Sequence, residues 1–316
     1  MKNIIRFDPN KNSKPVFYAK GIINFLTPSL FYRSKLEKLL SNNYLNKSIL
    51  DRVNYYNKCT YFDVPAEAKT IKEFKRDKKK VYYFDLLKYL KYFDQNLRIS
   101  YKFGDVNYIP DKPTIVKSRP IYGDNKNSVI MKLNTVRHFI FVDDKLKYED
   151  KMDKAVWRGK CYRPNRVEFV KTFYDKDFCD IGQTNTKGER DVAWQKPKMS
   201  LKNQLKYKFI VAIEGNDVAS NLKWAMSSNS LVLMAKPKFE TWFMEGRLKP
   251  NYHYALLKDD YSDMEEKIEY YSENINEAKE IIKNAHNHVQ MFTNRTVEDI
   301  ISILVLKKYF ETSNQL

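Results

Sequence analysis

The chain has 316 residues, is 43% hydrophobic, carries a formal net charge of +18, and contains only 8 glycines and 3 cysteines. These values predict a globular protein of about two domains and exclude repeat, low-complexity and disulfide-rich classes. Because no stretch reaches roughly 18 apolar residues and no signal peptide precedes the first helix, we expect a cytoplasmic protein.

The positive charge is concentrated in the first half. Residues 1–150 contain 30 lysines and arginines against 16 acidic residues, whereas residues 151–316 contain 27 against 23. A field of this sign attracts anions such as nucleic acid, acidic lipid head groups or phosphorylated glycans. The alternative interpretation is that the lysines reflect AT-rich codon usage and no particular ligand.

The first half mixes helices with short strands. Apolar residues at helical spacing predict helices over residues 29–40 and 48–56. Strands are indicated at residues 98–103 and 114–120, around an irregular loop.

A basic run over residues 72–80 leads into an aromatic segment, residues 81–93, which we also expect to be helical. One interpretation of this helix is a segment that docks on a membrane surface. We favour the other, a core helix with a lysine-rich outer face, because apolar stripes on helices usually face the core.

From about residue 151 the pattern changes to alternating strands and helices. This alternation predicts a parallel sheet with helices on both faces, and such sheets bind ligands at the carboxyl ends of their strands. The last helix is apolar nearly all round, so we expect it to be buried. The predicted strands cover residues 155–157, 178–182, 207–213, 230–235 and 253–257, and the predicted helices begin at residues 164, 217, 263, 276 and 297.

The segment EGNDVAS, residues 214–220, follows the most apolar of these strands. We expect a helix to start here, capped by Asp217 or Asn216, with its exposed amides and positive end facing a phosphate. An ordinary capped turn is the alternative interpretation. The segment lacks the G-x-G-x-x-G and Gly-Lys-Ser/Thr patterns, which disfavours NAD-binding and ATP-hydrolysing proteins.

A second loop, WRGKCYRPNR at residues 157–166, supplies cations after the first strand of this half. Arg158, Lys160, Arg163 and Arg166 face the same end of the sheet as residues 214–220, and guanidinium groups match phosphate oxygens. A solvated basic loop is the alternative interpretation. If the two loops converge, a nucleotide diphosphate fits them better than a single phosphate.

Asp105, in the loop YKFGDVNY, is the candidate general base, since a carboxylate that faces a cleft accepts a proton from an attacking hydroxyl. Asp124 in PIYGDN is a rival, and for both a role in a turn is the alternative interpretation. No metal is expected: the cysteines and histidines do not cluster, and the single D-x-D, residues 175–177, follows a helix instead of a buried strand.

The second half resembles glycosyltransferase family 90, which includes bacterial lipopolysaccharide core transferases, fungal capsule transferases and animal protein O-glucosyltransferases. The resemblance is specific over a long stretch of the second half and weaker in the first half. In both halves the sequence is most similar to the bacterial branch. It is carried by VWRG with Arg166, by residues 207–234, 238–246, 248–258 and 259–271, and more weakly by residues 103–110 and 115–139.

The resemblance implies an α/β fold of the GT-B type, with two Rossmann-like domains and a cleft between them. Residues 1–150 would be the acceptor-side domain and residues 151–316 the nucleotide-sugar domain, with the last helix, about 297–310, crossing back. It implies an inverting, metal-independent transfer of a hexose from a UDP-sugar to a glycan of the lipopolysaccharide core class, without any cofactor. The anionic acceptor would lie at the inner face of the cytoplasmic membrane, with the enzyme in peripheral contact.

The resemblance also implies residue roles. Asp105 would be the catalytic base and Arg166 a diphosphate contact, whereas Lys160 and Asn221 depart from the family pattern. Lys160 and Lys223 are therefore expected to supply the missing charge. Glu240, near the expected donor pocket, is a candidate to hold a ribose or sugar hydroxyl, and a surface role is the alternative interpretation. The expected donor-binding residues are Arg158, Gly159, Lys160, Arg166, Glu214, Gly215, Asn216, Asp217, Ala219, Ser220, Asn221, Lys223 and Glu240.

Two other classes of function stay open. A basic, aromatic-rich chain suits a nucleic-acid-binding protein, although no RRM, KH or zinc signature is present and no nucleic-acid partner is expected. A relative that binds nucleotide sugars but has lost catalysis would account for the departures at Lys160 and Asn221.

Overall fold

The computed structural model describes residues 13–41, 46–76, 79–185 and 192–316. Among the described helices, none combines the length and apolar character that crossing a bilayer requires. The helices are α1 (Lys14–Leu26), α2 (Ser29–Ser41), α3 (Lys47–Tyr56), α4 (Lys80–Leu90), α5 (Thr135–His138), α6 (Pro164–Phe173), α7 (Leu201–Gln204), α8 (Leu222–Met226), α9 (Met264–Glu273), α10 (Ile275–Gln290) and α11 (Arg295–Thr312). The strands are β1 (Lys69–Thr70), β2 (Arg98–Ile99), β3 (Tyr101–Lys102), β4 (Thr114–Val116), β5 (Ser118–Pro120), β6 (Ser128–Ile130), β7 (Met152–Gly159), β8 (Cys179–Gln183), β9 (Tyr207–Val211), β10 (Leu231–Met234), β11 (Phe239–Thr241) and β12 (Ala255–Leu256).

The second half contains a five-stranded sheet in the order β12-β10-β9-β7-β8, and every pair in it is parallel. Side chains alternate across it: in β9, Ile210 faces one side while Phe209 and Val211 face the other, and all three are buried. A sheet buried on both faces needs apolar residues at every position, which explains the continuous apolar run that predicted this strand. The predicted parallel sheet is confirmed.

Helices cover both faces of this sheet. The face that carries Phe209 packs against α6, α9 and the start of α10, through residues such as Phe169, Ile268 and Ile281. The opposite face packs against α8 and the end of α10, through residues such as Ala225. The mixed α/β class expected from the alternating pattern is therefore present.

The order of the strands creates a switch point between β7 and β9. The chain runs from β7 outward to β8, returns past β7 to β9, and continues in the opposite direction to β10 and β12. Crossover connections on the two sides leave in opposite directions, so a crevice opens at the carboxyl ends of β7 and β9. The loops that follow these two strands are the two loops selected from the sequence.

The first half is built on smaller sheets. Within the described residues, β3, β4 and β6 form a three-stranded parallel sheet, and β1 pairs antiparallel with β2. Strand β5 pairs antiparallel with β11 of the second half, which places Arg119 opposite Glu240. This pair physically joins the two halves of the chain.

Helix α4 corresponds to the aromatic segment that follows the basic run. Eight of its eleven residues are buried. They pack within the largest apolar cluster, beside α1 and α11. The interpretation as a core helix is confirmed, and this segment is not available as a membrane-docking surface.

Helix α11 returns from the second half to pack against α3 and α4 of the first half. Arg52 of α3 forms an ion pair with Glu298 at 2.6 Å, and the Asn57 amide donates to the Val305 carbonyl at 3.1 Å. The helix is buried over most of its length, as its apolar sequence predicts. One apolar cluster consequently runs from the first half through the sheet to α11.

Several elements differ from the sequence-based expectation: α1, α5, α7, β1, β6 and β11 were not predicted, and one helix was placed at the wrong residue. Helix α1 lies in a part of the chain for which no element was predicted. The helix expected from Asp217 was placed too early: α8 begins at Leu222 and is five residues long. Neither Asn216 nor Asp217 caps it, since Asp217 pairs with Lys117 and Asn216 contacts Asp105. The predicted helix start and cap at residues 216 and 217 are therefore wrong, whereas phosphate binding beside this turn stays a prediction.

Candidate functional site

A cavity of ≈ 290 Å³ lies at the carboxyl ends of β7, β9 and β10. Its volume is close to the lower limit of about 300 Å³ for small-molecule sites, and it opens to solvent. Its lining includes basic, acidic, aromatic and small side chains. The lining residues are Asn107, Arg163, Pro164, Asn165, Ala212, Glu214, Gly215, Asn216, Met234, Ala235, Lys236, Lys238, Phe239, Asp259 and Tyr261.

The loops after β7 and β9 meet at this cavity. Arg166 donates from Nη2 to the Ile213 carbonyl at 2.7 Å and from Nε to the Glu214 carbonyl at 3.1 Å. The Asn165 amide donates to the same Glu214 carbonyl at 3.1 Å. A side chain at Gly215 would place its Cβ 3.1 Å from Arg166 Nη2, so glycine permits this close approach. The predicted convergence of the two loops is confirmed.

Asn216 links the basic loop to the candidate base. Its side-chain oxygen accepts a hydrogen bond from Arg163 Nε, and its Nδ2 donates to Asp105 Oδ2 at 3.2 Å. Arg163 and Asn216 are both exposed at the cavity. A guanidinium and a carboxylate are thus held on either side of one amide. Arg163 and Asn216 line the cavity, and Asp105 reaches it through its contact with Asn216.

Lys117 lies between two carboxylates. Its ammonium is 2.5 Å from Asp105 Oδ1 and 2.7 Å from Asp217 Oδ2, and its side chain is only 2% exposed. Lys117 follows β4 in the first half, whereas Asp217 belongs to the turn after β9. The ion pairs therefore bring Asp105 from the first half to the crevice of the second.

The two carboxylates differ in their tendency to hold a proton. Burial alone would raise the pKa of Asp105, but the Lys117 ammonium and the Asn216 amide outweigh it, so the pKa lies below its ordinary value. Burial raises the pKa of Asp217 above its ordinary value. Asp105 is also the more accessible, with 30% of its side chain exposed against 5% for Asp217. Asp105 is therefore an ionised and accessible carboxylate.

Glu214 closes one wall of the cavity. Its carboxyl accepts hydrogen bonds from the backbone amides of Lys238 and Phe239, both at 3.1 Å. Burial raises its pKa to about 7, even though these amides favour the charged form. A carboxyl of this kind can both accept from and donate to a ligand hydroxyl near neutral pH.

Three of the expected donor contacts have partners elsewhere. Arg158 pairs with Asp180 of the neighbouring strand at 2.7 Å, Lys223 with Glu245 at 2.5 Å, and Glu240 with Arg119 at 2.7 Å. Both members of the last two pairs are buried. None of the three expected residues lines the cavity. Each of these three charges is neutralised by an ion pair within the protein. In this structure the three side chains therefore stabilise the fold.

The remaining expected residues surround the cavity without lining it. Gly159 faces the Trp157 ring, where an added Cβ would lie 2.3 Å from a ring carbon. Lys160 is exposed and its carbonyl accepts from Arg166 at 3.3 Å. Asn221 donates to the Val211 carbonyl at 2.8 Å and so holds the end of β9. Ala219 is buried and Ser220 is half-buried in the same turn.

Asp124, the rival candidate for the base, lies in an exposed turn. Its carboxylate is 2.9 Å from Lys126 Nζ and accepts from the Lys126 amide. The side chain is 67% exposed and does not line the cavity. The structure gives this residue the turn role that was its alternative interpretation.

Several site residues were not selected from the sequence. Lys117 was detectable as the single charge within the apolar segment TIVKS, because a lysine inside a buried strand requires a partner. Lys236 and Lys238 follow β10, and the rule that ligands bind at strand carboxyl ends would have included them. Asn165 offered no signal, since its role depends on a carbonyl 49 residues away.

Comparisons with known proteins identify the family of this chain. A family model described as glycosyl transferase family 90 matches residues 128–311. The chain is 42% identical to "O-glucosyltransferase LpsA" of Dichelobacter nodosus over 267 residues, which is 84% of each protein. It is 31% identical to "Protein O-glucosyltransferase 3" of Homo sapiens and of Rattus norvegicus over 140 residues, 42% of this chain and 27% of those proteins. A family match over more than half of the chain, together with a relative aligned over most of its length, shows that this protein is a glycosyltransferase and a member of glycosyl transferase family 90.

Proposed function

We propose that this glycosyltransferase moves a hexose or related sugar from a UDP-sugar to a glycan hydroxyl, with inversion and without a metal ion. The observation that carries the proposal is the position of Asp105, whose Oδ2 lies 3.2 Å from Asn216 Nδ2 at the mouth of the cavity. An ionised carboxylate beside a pocket lined by Arg163, Lys236 and Lys238 suits proton removal next to an anionic leaving group.

In the proposed reaction the donor diphosphate lies against the basic lining, and the acceptor hydroxyl attacks the anomeric carbon opposite to it. Asp105 accepts the hydroxyl proton as the new bond forms. Arg163, the two lysines and Lys160 stabilise the charge that builds on the departing diphosphate, which is the role of a metal in other enzymes. Arg166 positions the pocket, because its guanidinium already donates to three carbonyls. Glu214 is placed to hold a ribose or sugar hydroxyl.

The architecture that we propose is the GT-B arrangement, with residues 1–150 on the acceptor side and residues 151–316 on the donor side. The contacts of Lys117 and Asp105 with the turn after β9 support it, since both halves contribute to one cavity. The return of α11 to the first half is consistent with this arrangement.

The acceptor that we propose is an anionic glycan or glycolipid of the lipopolysaccharide core class, met at the cytoplasmic membrane. Two observations support this choice. The relative that aligns over most of the chain is named an O-glucosyltransferase, which favours transfer of glucose to an oxygen atom. The excess positive charge lies in residues 1–150, the half expected to face the acceptor.

Donor binding is tested by thermal unfolding with UDP-, GDP-, CMP- and ADP-sugars, each with and without EDTA. A ligand at 100 times its Kd stabilises the fold by about 2.7 kcal/mol. We expect stabilisation by UDP compounds alone, unchanged by EDTA. A requirement for a divalent ion, or stabilisation by RNA and not by any nucleotide sugar, contradicts the proposal.

Catalysis is tested by the variant Asp105→Asn, assayed by UDP release in the presence of a glycan acceptor. We expect a rate loss of about 10²–10⁴-fold with the UDP-sugar Kd retained, because the proton acceptor is removed while Lys117 keeps its ion pair with Asp217. Asp111→Asn, in the same exposed loop region, is the matched control and should retain activity. If the wild-type chain binds UDP-sugars but transfers to no glycan, it is a relative that has lost catalysis.

A further inference from the structure

Helices α1 and α2 meet at a bend that exposes a patch of large apolar side chains, called here the apolar corner. Each of its six members is between 48% and 70% exposed. Single exposed apolar residues are common, but a contiguous group of this size marks a surface that contacts a protein or a membrane. The apolar corner consists of Ile22, Ile23, Phe25, Leu26, Leu30 and Phe31.

Hydrogen bonds from Lys91 hold the bend between α1 and α2 in place. The Lys91 ammonium donates to the carbonyls of Asn24, Phe25 and Thr27, which are the last acceptors of α1 and have no partner within the helix. On the inner side, Gly21 packs directly against the Phe84 ring. The inner face of α1 is thus already used for packing, and the six apolar side chains project outward from a fixed support.

Basic residues surround the apolar corner. Residues 14–40 contain five basic side chains and one acidic side chain, Glu37. Of the basic residues, Arg33 pairs with Asp94 at 3.4 Å, and all five are exposed. The five are Lys14, Lys20, Arg33, Lys35 and Lys38.

This combination selects one kind of partner. Interfacial helices bury an apolar face at the boundary between head groups and acyl chains, while their lysines and arginines attract anionic lipids. A nucleic acid would use the cations but not the apolar side chains, and an interface between copies of this chain would place like charges together. We propose that the apolar corner docks this protein on a membrane surface that contains anionic phospholipid.

Docking goes beyond the proposed sugar transfer and is independent of it. The apolar corner belongs to α1 and α2, whereas the cavity is built from loops after β7, β9 and β10. Substitutions at the corner should therefore leave the donor site intact. Membrane docking would bring the enzyme to the surface where an acceptor with a lipid anchor is found.

The first test is flotation of the full chain with vesicles of phosphatidylcholine, with or without phosphatidylglycerol. The variant I23S/L26S/L30S/F31S should lose about 10-fold in binding to the anionic vesicles, since half-exposed apolar groups no longer enter the bilayer. The matched control L146S/Y270S changes exposed apolar residues elsewhere and should bind like the wild type. Added salt should weaken wild-type binding. Equal binding of the corner variant and the wild type overturns the proposal.

The second test places a reporter in the apolar corner. The three native cysteines are buried, so an environment-sensitive fluorophore can be attached at Leu26→Cys alone. We expect a blue shift of its emission on anionic vesicles and none with phosphatidylcholine alone. An unchanged emission spectrum on vesicles that the protein binds overturns docking through this surface.

The remaining measurements separate the possible failures. If light scattering shows that the corner variant dissociates a dimer while vesicle binding is unchanged, the surface is an interface between copies and the proposal is wrong. The corner variant should retain the thermal stabilisation by UDP-sugars. If no UDP-sugar stabilises any form of the chain but vesicle binding requires the apolar corner, the proposed sugar transfer fails and the docking surface stands.

Discussion

Lys117 holds a charge where water barely reaches it. With its side chain 2% exposed, it depends on Asp105 and Asp217 for compensation, and they depend on it. Burial of a charge is tolerated only when a partner is close, and removal of one partner leaves the others uncompensated. The same three residues join the halves of the chain and set the protonation of the candidate base. Catalysis and stability are thus coupled at this residue.

We predict that Lys117→Met moves the acidic limb of the pH–rate profile to higher pH. Lys117 holds the pKa of Asp105 below its ordinary value, so its loss raises that pKa and the base is protonated at a pH where the wild type is still active. Stability should fall by about 3–5 kcal/mol in urea unfolding, because the buried carboxylate of Asp217 loses its partner. Lys117→Arg keeps the charge and should keep the profile. An unshifted limb in Lys117→Met would exclude Asp105 as the titrating base.

We predict a pH-dependent stabilisation for Glu214→Gln. The pKa of Glu214 rises from its ordinary 4.5 to about 7 in the folded state. The folded state therefore holds this proton more tightly than the unfolded state, and the contribution of Glu214 to stability falls as pH rises from about 4.5 to about 7. The unfolding midpoint of the variant should rise relative to that of the wild type as pH increases across this window. Above the window the difference between the two midpoints should change little. Glu266→Gln, exposed on α9, should show no such trend.

Among the elements, α1 packs directly against the Phe84 ring of α4. The contact occurs at Gly21, where an added Cβ would lie 2.7 Å from the Phe84 ring. The edge of the Tyr18 ring also meets Phe84, at a centroid distance of 6.1 Å. Glycine inside a helix normally costs about 1 kcal/mol relative to alanine, so its presence here is explained by packing. This contact orients α1 and hence the apolar corner.

We predict that Gly21→Ala destabilises the protein by about 1–3 kcal/mol, although alanine is the better helix former. The added methyl overlaps the Phe84 ring, and the rigid ring cannot bend away from it. Phe84→Leu should cost stability alone but restore part of it in the double variant. Urea unfolding of the four proteins gives the coupling energy as a double-mutant cycle. Additive effects would show that α1 and α4 do not pack in this way.

At the scale of the whole molecule, one apolar cluster joins the two halves, while a second covers the other face of the five-stranded sheet. The largest apolar cluster includes residues of α3 and α4, of both central strands and of α11. At its edge Glu298 accepts from Lys132 and from the Trp242 indole, both at 2.7 Å, in addition to its ion pair with Arg52. The two halves therefore share their interior, and neither is expected to unfold without the other.

We predict a single calorimetric transition for the full chain. The variant Glu298→Gln should lower its midpoint, with a loss of about 3–5 kcal/mol, since Arg52 and Lys132 lose the buried charge that neutralises them. The transition should remain single, because the apolar contacts of α11 with both halves persist. Glu311→Gln, on an exposed position of the same helix, is the control. Two separate transitions in the wild type would contradict a shared core.

The sequence by itself determined the local structure and the place of the site. The alternation of strand and helix segments identified the parallel sheet, and a segment that is apolar nearly all round identified the buried last helix, because both patterns depend only on neighbours in the chain. The rule that ligands bind at strand carboxyl ends placed the cavity between the loops at residues 157–166 and 214–220. The family motifs in the same two loops identified the class of enzyme.

Only the tertiary structure decided which charges serve the site. Arg158, Lys223 and Glu240 have the residue types of ligand contacts, but each is neutralised by a partner brought close by the fold. Glu240 and Arg119 are 121 positions apart, and no local pattern specifies such a pairing. A charged side chain is available to a ligand only if no ion pair within the protein already neutralises it. Whether such an ion pair forms depends on distances between elements that are remote in the sequence.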